Sequence, residues 1–79
     1  MDNLDHRLVR CFSSVFPQLD EAQIRNASVD SVPEWHSLAS VTLVALLQEE
    51  FGVQVGLTDL PNLVSFSAVQ NYVQHRVAS

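Results

Sequence analysis

Of the groups in this chain that could do chemistry, the Ser37 hydroxyl is the best placed, in the segment Glu34-Trp35-His36-Ser37-Leu38. A polar, proline-bearing stretch gives way there to an uninterrupted helical pattern, so the unpaired N–H end of a helix is expected beside Ser37, a position that favours an anion. On spacing alone Ser37 reads as an N-cap, the ordinary use of serine at such a junction. Catalytic and metal-binding alternatives find little support. His6, His36 and His75 show no ligand spacing, and together with Cys11 they suggest no nucleophile, base and orienter in one pocket. No catalytic residue and no metal site is therefore expected, and His36 reads as a solvent-exposed neighbour of the cap. Cys11 is the single cysteine, so it forms no internal disulfide; within an apolar helical pattern it reads as a small core residue in a reducing, cytoplasmic setting.

The elements that must position Ser37 follow from periodicity. Leu4, Leu8, Phe12, Val15 and Phe16 recur at three- and four-residue spacing, which predicts an amphipathic first helix over Leu4 to Phe16, ended by Pro17. Pro17 to Trp35 reads as a long, ordered but irregular loop with Ile24, Val29 and Val32 as isolated apolar anchors. A second helix is expected over Leu38 to Phe51, with Gly52 at its C-terminal cap. Gly56 to Leu63 reads as a short third helical turn, capped by Thr58 and Asp59. The last helix is expected to start near Ser65 or Ser67, with Ala68, Val69, Tyr72, Val73 and Val77 inward and Gln70, Asn71, Gln74 and His75 on the wet side. No strand pattern competes. Trp35, beside the loop, reads as a lid over the core.

With 79 residues the chain is expected to be one domain over residues 1–79, a small core on which an elaborate catalytic cleft is not expected. Apolar residues are 47% and charged residues 16%, a balance that suits a folded globule. Four arginines and no lysine face nine carboxylates, and the formal charge of -5 argues against a nucleic-acid partner. No apolar stretch is long enough for membrane insertion and no leader pattern opens the chain. With no linker-like tail at either end, a discrete protein is expected, monomeric by default. The second helix carries more apolar side chains than one buried face can use: Leu38, Val41 and Ala45 project away from Leu43, Leu46, Leu47 and Phe51. That surplus predicts a docking surface.

Glu34-Trp35-His36-Ser37-Leu38, followed by Val41, Leu43, Val44, Leu46 and Glu49-Glu50-Phe51-Gly52-Val53, resembles the acyl carrier proteins, and the likeness runs over nearly the whole chain. The resemblance implies an all-α, acyl-carrier-like four-helix bundle of three longer helices and a short third one, with the long loop between helices 1 and 2. It implies that Ser37 carries 4′-phosphopantetheine, attached by a phosphopantetheine transferase, and that the arm holds acyl groups as thioesters. Acyl-loading, acyl-transfer or synthase enzymes would then be the partners, meeting Leu38, Val41, Ala45, Gln48 and Glu49. Val29, Leu46, Leu57, Leu63 and Ala68 would line a space for the acyl chain, with Trp35 near its entrance. The chain departs from the family at two places. His36 stands where an aspartate usually helps the transferase hold Mg²⁺, a hard cation that prefers oxygen ligands, with Glu34 the nearest carboxylate before it. The outward positions Ala39, Thr42, Ala45 and Gln48 are uncharged where many members are acidic, so docking should depend more on Leu38 and Val41, as in a carrier of a specialised lipid or secondary-metabolite pathway. The alternative is an unmodified carrier fold that acts as a protein-interaction module.

Overall fold

Helix α1 spans Asn3–Val15, α2 Glu21–Arg25, α3 Ser37–Phe51 and α4 Phe66–Ala78, with a 3-10 helix over Leu57–Asn62 between α3 and α4. This computed structural model describes residues 3–78, without the side chains of Asn3, Leu57 and Ala78. The chain is mostly helical, and its one β-type contact among the described residues is an isolated bridge between Ser28 and Ser65.

The apolar stripe of α1 is buried as its spacing requires. Leu8, Phe12 and Phe16 are sealed from solvent, and Cys11 lies among them as a small core residue. Their partners are Leu43 and Leu47 of α3, Val69 and Val73 of α4, and Ile24, Ala27, Val32 and Trp35 of the α1–α3 connection. Trp35 is more than a lid. At 3% exposure its ring stands edge-on to Phe12, with centroids 5.4 Å apart, and lies 5.8 Å from Phe16. Phe66 completes the cluster, 5.1 Å from Phe12. Of the three expected loop anchors, Ile24 and Val32 are buried, whereas Val29 lies at the surface.

The connection between α1 and α3 is not irregular throughout, because α2 interrupts it. Asp20 accepts from the Gln23 backbone N–H at 2.8 Å, and the Gln23 side-chain oxygen accepts from the Asp20 N–H at 2.9 Å. This reciprocal pair is a capping box, readable from Asp20-x-x-Gln23, that satisfies two donors a helix start otherwise leaves open. From α2 onward the connection is tied to α4, with Val29 N–H donating to Val64 O at 2.9 Å and Phe66 N–H to Ala27 O at 3.0 Å. Asp5 of α1 joins three elements: its carboxylate accepts from Arg25 at 2.5 Å and from Gln70 at 2.8 Å. Gln70, expected on the wet side, is half-buried for that reason. Arg25 also bonds Glu21 one turn back, and these two carboxylates, Asp5 first, raise its pKa above the ordinary guanidinium value.

Gly52 closes α3 as expected, in the left-handed region at φ 67°, with its N–H on Gln48 O. Arg7 fastens this end to α1: it bonds the Glu50 carboxylate at 2.6 Å and the Glu50 carbonyl, and lies 4.7 Å from the Phe51 ring centroid. The expected short third helix is present as the 3-10 helix, but no side chain caps it. Asp59 is drawn instead to α4, where the Tyr72 hydroxyl donates to it at 2.7 Å. Ser65 supplies the α4 start by accepting from Ala68 N–H at 3.1 Å. Val77, expected inward, is 46% exposed.

Candidate functional site

The start of α3 differs from expectation by one residue. His36, not Ser37, holds the N-cap position: its backbone is extended at φ -128° and its carbonyl accepts the first helical bond, from Ser40 N–H at 2.9 Å. Neither His36 nor any other side chain caps the helix. Ser37 is the first residue of a 15-residue helix, solvent-exposed, and its hydroxyl has no hydrogen-bond partner among the described residues. The reason is geometric. A serine caps from an extended backbone before the helix, whereas from the first helical position its side chain does not reach the N–H groups of the next turn.

The electrostatics of this end suit an attached anion. The first N–H groups of α3 lack intrahelical acceptors, and the first turn of α3 holds no acidic side chain. His36 and Glu34 are both exposed, the imidazole being the nearest ring to Ser37 in sequence, and His36 N–H donates to Glu34 O at 3.0 Å. No group of three or more His, Cys, Asp or Glu side chains that could hold a metal occurs among the described residues.

Downstream of Ser37 the helix period gathers Leu38, Val41, Ala45, Gln48 and Glu49 on one outward stripe, and all five are exposed. Leu38 is 70% and Val41 53% exposed, so the surplus apolar side chains of α3 do not pack under the loop. Ala39, expected outward, is half-buried against the core, and Thr42 folds its hydroxyl back onto Leu38 O at 3.1 Å. Gln48 turns its side-chain oxygen to Val55 N–H at 3.2 Å.

Among the described residues, members of the group expected around an acyl chain border two different surface features. Leu63 and Ala68 border an open depression beside Asn71 and Tyr72 of α4. Leu46 borders a separate groove between α1 and α3, with Arg10, Cys11, Ser14, Glu49 and Glu50. Val29 stands at the surface, and the side chain of Leu57 lies outside the described residues. The bundle interior is occupied by Phe12, Phe16, Trp35 and Phe66. Burial pushes the Cys11 thiol pKa up, with the Glu50 carboxylate adding to it, which is the opposite of what a reactive thiol needs.

One cluster was not anticipated. Tyr72, assigned inward by its period, carries its hydroxyl to Asp59 and lies within 3.4 Å of Gln54 O; the Arg76 guanidinium sits 4.5 Å from the centroid of its ring and 3.6 Å from Asp59. Burial, then the bond to Asp59, raises the Tyr72 pKa. Only the i, i+4 spacing of Tyr72 and Arg76 was visible beforehand; Asp59 is supplied by the turn of the chain. Comparison of the chain with protein-family models, curated proteins and solved structures finds no match to any of them.

Proposed function

We propose that this chain is an acyl carrier protein, holding acyl intermediates as thioesters on a 4′-phosphopantetheine arm at Ser37 and passing them between partner enzymes. The observation that carries this reading is the exposed Ser37 hydroxyl, without a hydrogen-bond partner among the described residues, at the open N–H end of a long helix with no carboxylate in its first turn. In the attachment step the Ser37 oxygen forms a bond to phosphorus and the pyrophosphate of coenzyme A breaks, releasing adenosine 3′,5′-bisphosphate, with the hydroxyl proton passing to a base of the transferase. The α3 N–H end then stabilises the resulting phosphodiester, by about 0.3 to 1 kcal/mol for an exposed contact. The arm supplies the mobile thiol that buried Cys11 does not. Leu38, Val41, Ala45, Gln48 and Glu49 offer loading, transfer and synthase enzymes a largely uncharged stripe beside Ser37, which suits a specialised lipid or secondary-metabolite pathway. A free, buried thiol suits a cytoplasmic setting.

The second reading, an unmodified interaction module, is favoured by two observations: imidazole rather than carboxylate precedes Ser37, and the apolar pair Leu38 and Val41 is exposed. Intact mass after incubation with coenzyme A, Mg²⁺ and a broad-specificity phosphopantetheine transferase separates the two. A gain of one phosphopantetheine, abolished in Ser37→Ala, is the expected result. A gain only in His36→Asp means that the fold is sound and that ordinary transferases do not read the native site, leaving a dedicated transferase or the unmodified module. No gain in either favours the module.

A further inference from the structure

We infer that the groove between α1 and α3 is a binding site for a small zwitterion of α-amino-acid size, its carboxylate taken by Arg10 and its ammonium by Glu49. This does not depend on whether Ser37 is modified.

The two walls of the groove come from different helices. Arg10, Cys11 and Ser14 face it from α1, and Leu46, Glu49 and Glu50 from α3. Arg7, one turn earlier in α1, has already taken Glu50, through its carboxylate at 2.6 Å and its backbone carbonyl. Arg10 and Glu49 are left on opposite walls. Both are exposed, and among the described residues neither has an ion pair or a hydrogen bond, with the other or with any third group. The Ser14 hydroxyl, one turn beyond Arg10, is likewise without a partner among those residues. The apolar part of the lining is half-buried Leu46 and buried Cys11. The Arg10 charge is felt there: burial and Glu50 raise the Cys11 thiol pKa, and Arg10 opposes them.

This lining selects a ligand by charge. A guanidinium presents paired N–H donors that match a carboxylate, and the Ser14 hydroxyl adds another donor on the same wall. The Glu49 carboxylate accepts from an ammonium. A molecule with one charge satisfies one wall and leaves the other in water, whereas a zwitterion satisfies both while covering Leu46 and Cys11. The groove volume of about 250 Å³ is the room of roughly eight waters, which suits an amino acid and is small for a nucleotide.

An NMR titration of the full chain with glycine and L-leucine tests the site, against isocaproate and isoamylamine, which are leucine without its ammonium and without its carboxylate. The expected result is saturable shifts with L-leucine at the amides of residues 10–14 and 46–50, and binding about five-fold weaker for each single-charge analogue. Arg10→Gln should bind L-leucine no better than the native chain binds isoamylamine, and Glu49→Gln no better than it binds isocaproate. Both substitutions change exposed side chains, so both variants should keep the dispersed spectrum of the folded chain. No saturable shifts with either glycine or L-leucine, shifts centred on other residues, equal binding of either analogue, or unaltered L-leucine binding in either variant would each overturn it.

Discussion

Two ionisable side chains with little part in the proposed chemistry show how burial couples pH to stability. The Cys11 thiol, in the α1 stripe, has its pKa raised chiefly by burial and secondarily by Glu50. In the unfolded chain the thiol ionises first, near its ordinary value of about 8.5, so above that pH the unfolded state loses protons that the folded state keeps. The stability this group contributes is complete below that pH and falls as pH rises through the raised folded value. Tyr72 behaves alike from about 10 upward. Urea titrations should therefore show stability declining on the alkaline side, with a smaller decline from pH 8 to 10 in Cys11→Ala; an identical decline in that variant would refute the assignment. Trp35 presents a different imbalance. Its ring packs within the aromatic cluster, worth about 1.5 to 3 kcal/mol for a large side chain, but its Nε1–H has no acceptor among the described residues, which costs about 1 to 3 kcal/mol. The two are of similar size, so Trp35 shapes the core more than it stabilises it.

At the scale of elements, the short helix α2 decides where the chain goes between α1 and α3. Five residues do not sustain a helix by propensity, and α2 persists because its start is capped and Ile24 is buried. Replacing the Asp20 side chain removes one half of the capping box and leaves the Gln23 N–H without its acceptor. Asp20→Ala should destabilise the protein by about 1 kcal/mol, read as a lower urea midpoint at constant slope. An unchanged midpoint would mean that α2 is held by Ile24 and Arg25 alone. This helix was missed when the connection was read as irregular, although Asp20-x-x-Gln23 is a local signal within the sequence. The longer helices were legible because three- and four-residue spacing of Leu, Phe and Val reports burial directly. The cap at Ser37 was misplaced by one residue because His36 takes an extended backbone without offering a side-chain bond, which composition does not signal.

For the whole molecule, the division between core and exposed stripe on α3 carries the functional reading. Leu43 and Leu47 turn inward to α1 and α4, and Leu38 and Val41 turn to solvent. Polar substitution of the outward pair should leave folding intact while altering association. Leu38→Ser combined with Val41→Ser should change unfolding free energy by no more than about 0.5 kcal/mol per site, measured by urea denaturation. A loss of several kcal/mol would mean that the pair is part of the core. The surplus of apolar positions on this helix was countable beforehand, so the exposed stripe was among the more legible features of the candidate site. The acyl-lining group was not. Its members were joined by resemblance, and among the described residues Leu46 borders one groove while Leu63 and Ala68 border another depression.

The amino-acid sequence by itself determined an all-helical chain, the stripes that α1, α3 and α4 bury, the glycine stop at Gly52, and Ser37 at the opening of the longest helix. Each of these rests on interactions within a few residues or on a periodicity that burial imposes along one element. Tertiary structure alone decided that Asp5 would tie α1 to α2 and α4, that Asp59 would leave its helix start for Tyr72, and that Trp35 would enter the core with its N–H unpaired. Those contacts join residues far apart in the chain. A carboxylate, a phenol or an indole can serve a local cap, a distant partner or solvent equally well, and only the packed arrangement selects among them.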